Sequence, residues 1–402
     1  MNDVKTNSRS ILAGTRIHAI VLTRDRPDTL QRCVTTALSS LGPQDLLTII
    51  DDSSPSALTA NCTLLATYPN TSLPTRVHIS AERARKIIAH SLDASARLWL
   101  SKTAPRDIAP LRNLSLLLAS VVPADMTILI DDDIHGFDLV DTYHRVIRLA
   151  KDIGGVIAGA DIGGINEQDT ITRLWDAINR IDKQRSSGGS EAIRGLFHVP
   201  ACPGTDDTND LKYVSAGYLA FRLLPEQLFA FPPGYNEDWL WCLLHGTSAD
   251  VRIVHSGDSV IHDPPSVLRP ARGDLSFELI GDLVFQCLEE RDTLNDLNAE
   301  ASLRGLSNQL PRPAFMPAAR AMELLEKAQS SSQTGGDLSV LEEYGLATLS
   351  EMLRRDELSM DGARVLGNWC DDAIAKHQSV AGTMCNEAAI CSVRTLLQEG
   401  RL

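Results

Sequence analysis

The chain has 402 residues, 43% of them hydrophobic and 22% charged, an ordinary globular balance that excludes wholesale disorder and fibrous repeats. Its 38 Lys and Arg stand against 52 Asp and Glu, a net charge of −14, which opposes non-specific binding to nucleic acid or anionic membranes. Aromatics reach only 5%, too few for a surface that stacks single-stranded bases.

At about 150 residues per domain, two or three domains are expected. The eight cysteines are scattered, with no CxxC pair, so the expectation is a reducing, cytoplasmic setting without a disulfide framework. The first residues lack the apolar core of a secretion signal, and the most apolar run, Leu114 to Val122, falls short of a membrane span.

Residues 1–15 are polar and read as a loose N-terminus. Ile17 to Thr23 is short and apolar, the pattern of a buried strand. Asp28 can cap a helix whose apolar positions Leu30, Val34, Ala37, Leu38 and Leu41 keep helical spacing until Gly42-Pro43 stops it. Leu46 to Ile50 is a second buried strand, and it runs into Asp51-Asp52-Ser53-Ser54. Strand, helix and strand at this spacing predict a βαβ unit and a parallel sheet. A helical pattern around Leu114 to Ser120 precedes another apolar strand, Met126 to Ile130, which ends in Asp131-Asp132-Asp133. Asp138 to Lys151 reads as helix and Gly154 to Ala160 as strand or loop. Residues 182–212 are rich in Ser, Gly, Asp and Pro and predict a long surface loop. Tyr213 to Leu223 reads as a strand, Glu237 to His245 as a short helix and Val251 to His262 as closing strands. The α/β pattern thus spans residues 16–270. Residues 271–402 show helical periodicity throughout and carry 12 Lys and Arg against 21 Asp and Glu. They predict an acidic, all-helical C-terminal region.

The candidate chemistry lies at strand ends. In open α/β sheets the ligand crevice lies outside the carboxyl ends of the strands. Asp131, Asp132 and Asp133 there repel one another, and hard divalent cations such as Mg²⁺ or Mn²⁺ take oxygen ligands of this kind and bridge to phosphates. A solvated acidic turn is the alternative for the triplet. Glu237-Asp238 opens the helix that follows, so capping explains it without any function. An ionised carboxylate at that position can equally serve as a general base.

Five segments in order carry a family resemblance: Ile20 to Pro27, Ile49 to Ser53, Arg112-Asn113, Leu129 to Asp133 and Glu237-Asp238. Together they resemble family 2 glycosyltransferases of the GT-A fold, over roughly residues 16–265. The resemblance implies a Rossmann-like mixed sheet flanked by helices. It also implies metal-dependent, inverting transfer of a sugar from a nucleoside diphosphate, with a UDP-sugar as the expected donor. By that likeness Thr23, Arg26 and Asp52, with Asp51 beside them, face the nucleotide base. Arg112, Asn113 and Asp132 line the donor, Asp131 and Asp133 hold Mn²⁺ or Mg²⁺, His262 is a further candidate metal ligand, and Glu237-Asp238 supplies the base, assigned to Asp238. The chain departs from the family at Asp51-Asp52-Ser53-Ser54, where Asp-Asp-Gly-Ser is common, and in its third Asp. A retaining transferase or a nucleotidyltransferase of the same fold is the alternative, as is a non-catalytic nucleotide- or carbohydrate-binding protein. The sequence names neither sugar nor acceptor. The helical region is expected to shape acceptor choice or form a homo-oligomer contact and to contribute little to donor binding.

Overall fold

The structure, a computed structural model, describes residues 16–68, 74–92, 97, 100–101, 107–151, 154–163, 214–224, 227–231, 237–246, 250–263 and 387–402. Its strands are β1 (Ile17–Thr23), β2 (Leu46–Asp51), β3 (Thr75–Ser80), β4 (Met126–Asp131), β5 (Ile134–His135), β6 (Gly155–Gly163), β7 (Tyr218–Arg222) and β8 (Val251–His262). Its helices are α1 (Pro27–Ser40), α2 (Pro55–Ala66), α3 (Ala81–Ala89), α4 (Ala109–Val121), α5 (Leu139–Ala150), α6 (Glu237–Gly246) and α7 (Glu387–Glu399). The predicted strand–helix–strand opening, the helix before the acidic triplet and the later strands stand close to their expected positions. The predicted loop at 182–212 and residues 271–386 lie outside the described residues.

The strands form one mixed sheet in the order β3-β2-β1-β4-β7-β6-β8-β5. β3, β2, β1 and β4 are mutually parallel, β7 runs against β4, and β6 and β8 return to the first direction. β5 closes the far edge antiparallel to β8. Helices cover both faces, which is why β1 reads as a continuous apolar run and is buried from end to end. Within it Ile20 and Leu22 face one core, with side chains of α3, α4 and α7. Ala19 and Val21 face the other, with α1 and α5. The period-two alternation of a strand thus feeds two separate cores. This is the Rossmann-like α/β architecture that the sequence predicts. No helix among the described residues is long and apolar enough to cross a membrane.

Residues 387–402 belong to this framework. Ala389, Val393, Leu396 and Leu397 of α7 are buried in the core shared with α3 and α4. Beyond the helix the chain lies along β3: Gly400 O accepts from His78 N at 2.7 Å, and Leu402 N donates to Arg76 O at 3.2 Å. These residues cover the edge of the sheet beside β3, supplying bonds that an edge strand otherwise leaves open.

One buried group makes the fold acid-sensitive. His18 is fully buried between β1 and β2, and its Nε2 lies 2.9 Å from Thr48 Oγ1. Burial pulls its pKa down to about 3, against about 6.5 in an unfolded chain. The unfolded state therefore binds the extra proton between those values, and stability falls as pH drops from 6.5 toward 3, by up to about 1.4 kcal/mol per pH unit. Urea unfolding of wild type and His18→Gln at pH 7 and pH 5 is expected to show the stability gap between them shrinking by about 2 kcal/mol. A gap independent of pH would mean that His18 is not the group responsible.

Candidate active site

The chain adds β2 and β3 on one side of β1 and then returns to place β4 on the other. The crevice between the carboxyl ends of β1 and β4 is therefore the switch point at which open α/β sheets bind ligands. The end of β1 supplies Thr23, Arg24 and Arg26, and the end of β4 supplies the acidic triplet.

Thr23 Oγ1 donates to Asp132 Oδ2 at 2.6 Å. Arg26 spans the next two carboxylates, with Nη2 3.0 Å from Asp132 Oδ1 and Nη1 2.6 Å from Asp133 Oδ2. Between the two arginines Asp25 takes a φ of 55°, a left-handed conformation for which Asp has more tolerance than most residues. Its Oδ1 accepts from Ser54 N at 2.8 Å and Ser54 Oγ at 2.7 Å, and its own N–H donates to Ser53 Oγ at 2.7 Å. The β1–α1 turn is thus stitched to the β2–α2 turn, which sets Arg24 and Arg26 in place. Behind the triplet the buried Cys33 thiol points at the Asp131 carbonyl, 3.8 Å away.

Helices α4 and α6 bring further charged side chains to the end of β4. Arg112 is almost wholly buried and forms ion pairs with Glu237, with Asp131 Oδ2 at 3.3 Å and with Asp238 Oδ2 at 3.9 Å. Phe231 lies against its guanidinium, 5.9 Å from ring centre to the central carbon. Asp238 is oriented by two backbone donors, Ala216 N to Oδ2 at 2.8 Å and Trp239 N to Oδ1 at 2.9 Å. One arginine therefore links the β4 carboxylates to the Glu237-Asp238 pair.

The electrostatics follow burial and pairing. Burial pushes Asp132 up to about 7, against the pull of Arg26 and the Thr23 hydroxyl. Burial also raises Asp131, the Arg112 charge notwithstanding. Burial alone would raise Asp133 too, but His262 and Arg26 outweigh it and hold it below its ordinary value. Glu237 is driven upward by desolvation despite its partner Arg112.

His262 ends β8, and the pairing of β8 with β5 carries it to the triplet. Asp263 N donates to Asp133 O at 2.9 Å, and His262 Nε2 lies 3.5 Å from Asp133 Oδ2. Asp131, Asp132, Asp133, Arg26, Thr23, Arg112, Glu237, Asp238 and His262 accordingly form one connected cluster.

Three other predicted residues stand outside it. Asp51 is buried and accepts from Ser53 N at 3.0 Å and Asn61 Nδ2 at 2.9 Å, with His78 Nε2 at 2.9 Å; these bonds shape the β2–α2 turn. Asp52 is held by Arg24 at 2.5 Å and Arg85 at 2.6 Å. Asn113 clasps the Phe231 backbone, donating to its carbonyl at 3.0 Å and accepting from its N–H at 2.7 Å. Arg85, His78 and Asn61 were not singled out from the sequence, and no local pattern distinguishes them.

The donor types suit a hard divalent cation: carboxylate oxygens with an imidazole beside them. Asp131 Oδ1 is moreover a buried oxygen without a hydrogen-bond partner. Among the described residues no three such side chains are gathered as a finished metal site. Guanidinium groups stand between the carboxylates instead.

No protein-family model matches the chain, and no curated protein matches it in sequence. It is similar to several solved structures. One is a mannosyltransferase from Pyrobaculum calidifontis in complex with GDP-Man and Mn²⁺, 14% identical, covering 90% of this chain and 87% of that one, with a TM-score of 0.39. Another is S. aureus TarS 1-349, 9% identical, covering 85% and 92%, with a TM-score of 0.41. A third is mouse xyloside xylosyltransferase 1, 10% identical, covering 51% and 67%, with a TM-score of 0.30. Scores this low say nothing of the reaction.

Proposed function

We propose that this chain is a glycosyltransferase that moves a sugar from a nucleoside diphosphate, a UDP-sugar in the first instance, to an acceptor hydroxyl with inversion. The observation that carries the reading is one buried arginine, Arg112, joining Asp131 at the switch point to both Glu237 and Asp238. Such a frame gathers a candidate metal-binding carboxylate and a candidate proton acceptor around one guanidinium.

The roles divide as follows. Asp131 and Asp133 would hold the divalent metal, with His262 beside Asp133; when bound, the metal supplies positive charge against the departing diphosphate. Arg26 and Arg24 flank the same end as guanidinium groups suited to phosphate oxygens. Asp238 removes the acceptor proton, oriented by Ala216 N and Trp239 N. Arg112 positions both carboxylate groups rather than touching the donor, because Glu237 and Asp131 already enclose it. Asp52, bracketed by Arg24 and Arg85, would bring one more guanidinium, that of Arg85, to the nucleotide side.

A thermal-shift series with UDP, GDP, ADP and CDP, each with and without Mn²⁺, tests the reading. One nucleotide is expected to raise the melting temperature by several degrees more than the others. Asp133→Asn is expected to lose the Mn²⁺-dependent part of that shift. Indifference to every nucleotide, or an unchanged Mn²⁺-dependent response in the variant, would remove the metal–diphosphate end from this account.

A further inference from the structure

The carboxylates that face the proposed metal are already paired with protein cations, and the two cations concerned differ in kind. Arg112 is walled in by Glu237, Asp131, Asp238 and Phe231, and its side chain is only 6% exposed. Arg26 is 31% exposed and immediately precedes α1, with one side of its fork on Asp132 and the other on Asp133. The first arginine is fixed; the second has room to leave.

We infer that Arg26 is a latch: it neutralises Asp132 and Asp133 in the free protein and must swing off them when a divalent cation and a diphosphate enter. This rests on the glycosyltransferase reading of the site. A guanidinium 2.6 Å from Asp133 Oδ2 and a divalent ion on that carboxylate would repel each other at a few ångströms, an interaction of several kcal/mol even at an effective dielectric near 20. They therefore exclude one another. Once displaced, the fork meets the anion that arrives with the metal, because guanidinium binds phosphate oxygens in pairs. Thr23 keeps Asp132 hydrogen-bonded during the exchange. His262 remains beside Asp133 and retains a partner for it. The latch makes metal and diphosphate bind cooperatively, since displacing Arg26 costs free energy once and benefits both ligands.

Mn²⁺ binding followed by electron paramagnetic resonance, with no sugar present, tests this directly. Arg26→Met is expected to bind Mn²⁺ alone at least about tenfold more tightly than wild type, because the competing charge is gone. In wild type, UDP is expected to tighten Mn²⁺ binding markedly, and in Arg26→Met that enhancement should shrink. Arg26→Lys retains a charge without the fork and is expected to fall between the two; it serves as the second variant should the methionine protein not fold. Equal Mn²⁺ affinity in wild type and the folded Arg26 variants overturns the latch while leaving the metal site standing. Absence of Mn²⁺ binding in every form, alongside a thermal shift with UDP, removes metal and latch together but leaves nucleotide binding intact.

Discussion

Asp238→Asn is expected to reduce sugar transfer by about 10²–10⁴ while leaving nucleoside diphosphate affinity within a few-fold of wild type. The amide cannot accept a proton at pH 7, yet its oxygen can still take one of the two backbone bonds now made by Ala216 and Trp239. Steady-state transfer assays and nucleotide titration of the same preparation separate the two effects. Asp238 lies at the start of α6, where loss of a favourable carboxylate costs about 1 kcal/mol, so an unfolding curve must accompany the kinetics. A folded variant with near-normal turnover would return Asp238 to a helix-capping role. The Arg112–Glu237 pair would then be a structural ion pair, and a binding protein would become the better description.

Removing residues 387–402 is expected to have the largest effect on the fold. Val393, Leu396 and Leu397 are buried against α3 and α4, and burial stabilises by roughly 1.5–3 kcal/mol for each such side chain. Together these approach the whole stability of a domain, about 5–15 kcal/mol. The deletion would also strip the bonds to Arg76 and His78 from β3. The side chain of His78 in turn holds Asp51, and Arg85 on α3 holds Asp52. Loss of soluble protein, or a much lowered melting temperature together with lost nucleotide binding, is the expected result. The same chain with Gly400→Ala tests the edge contact alone: an added Cβ would stand 2.7 Å from His78 O and 3.0 Å from Val77 Cγ1, pushing the last residues off β3. A deletion that melts within a few degrees of the full chain would show that α7 merely decorates the surface. The same deletion measures whether these sixteen residues bear on the donor side, where the expectation is that the helical region contributes little. They support the strand and helix that position Asp51 and Asp52.

What could be read from the chain itself was local. Ile17 to Thr23 and Met126 to Ile130 are continuous apolar runs because they occupy the middle of the sheet, and such runs announce themselves. β3 does not, although Val77 and Ile79 are buried. It is an edge strand whose outer partner arrives from more than 300 residues away, and its buried Arg76 finds its partner in the Leu65 carbonyl. The acidic triplet could be offered as a candidate site from the sequence because strand ends carry ligands in this architecture. Its counter-charges were harder to see. The resemblance implies a donor contact for Arg112; in the fold it pairs with Glu237, a pairing that no spacing between residues 112 and 237 encodes. Asn113 likewise serves the Phe231 backbone. His262 was a candidate by likeness alone, and the β5–β8 pairing is what brings it to Asp133.

The thiol behind the triplet bears on how the site meets oxidants. Ionising Cys33 would place a fourth negative charge beside Asp131, Asp132 and Asp133, in a spot closed to water; burial foremost, and then those carboxylates, push its pKa well up. A thiol held protonated is a poor nucleophile toward peroxides and disulfides. Cys62 and Cys391, by contrast, are exposed. Among the described cysteines, peroxide or glutathione disulfide encountering the folded chain would therefore reach these two surface sulfurs, on α2 and α7, before the buried sulfur of Cys33. Burial first, and the neighbouring carboxylates second, hold the Cys33 thiol protonated and shield it from oxidation.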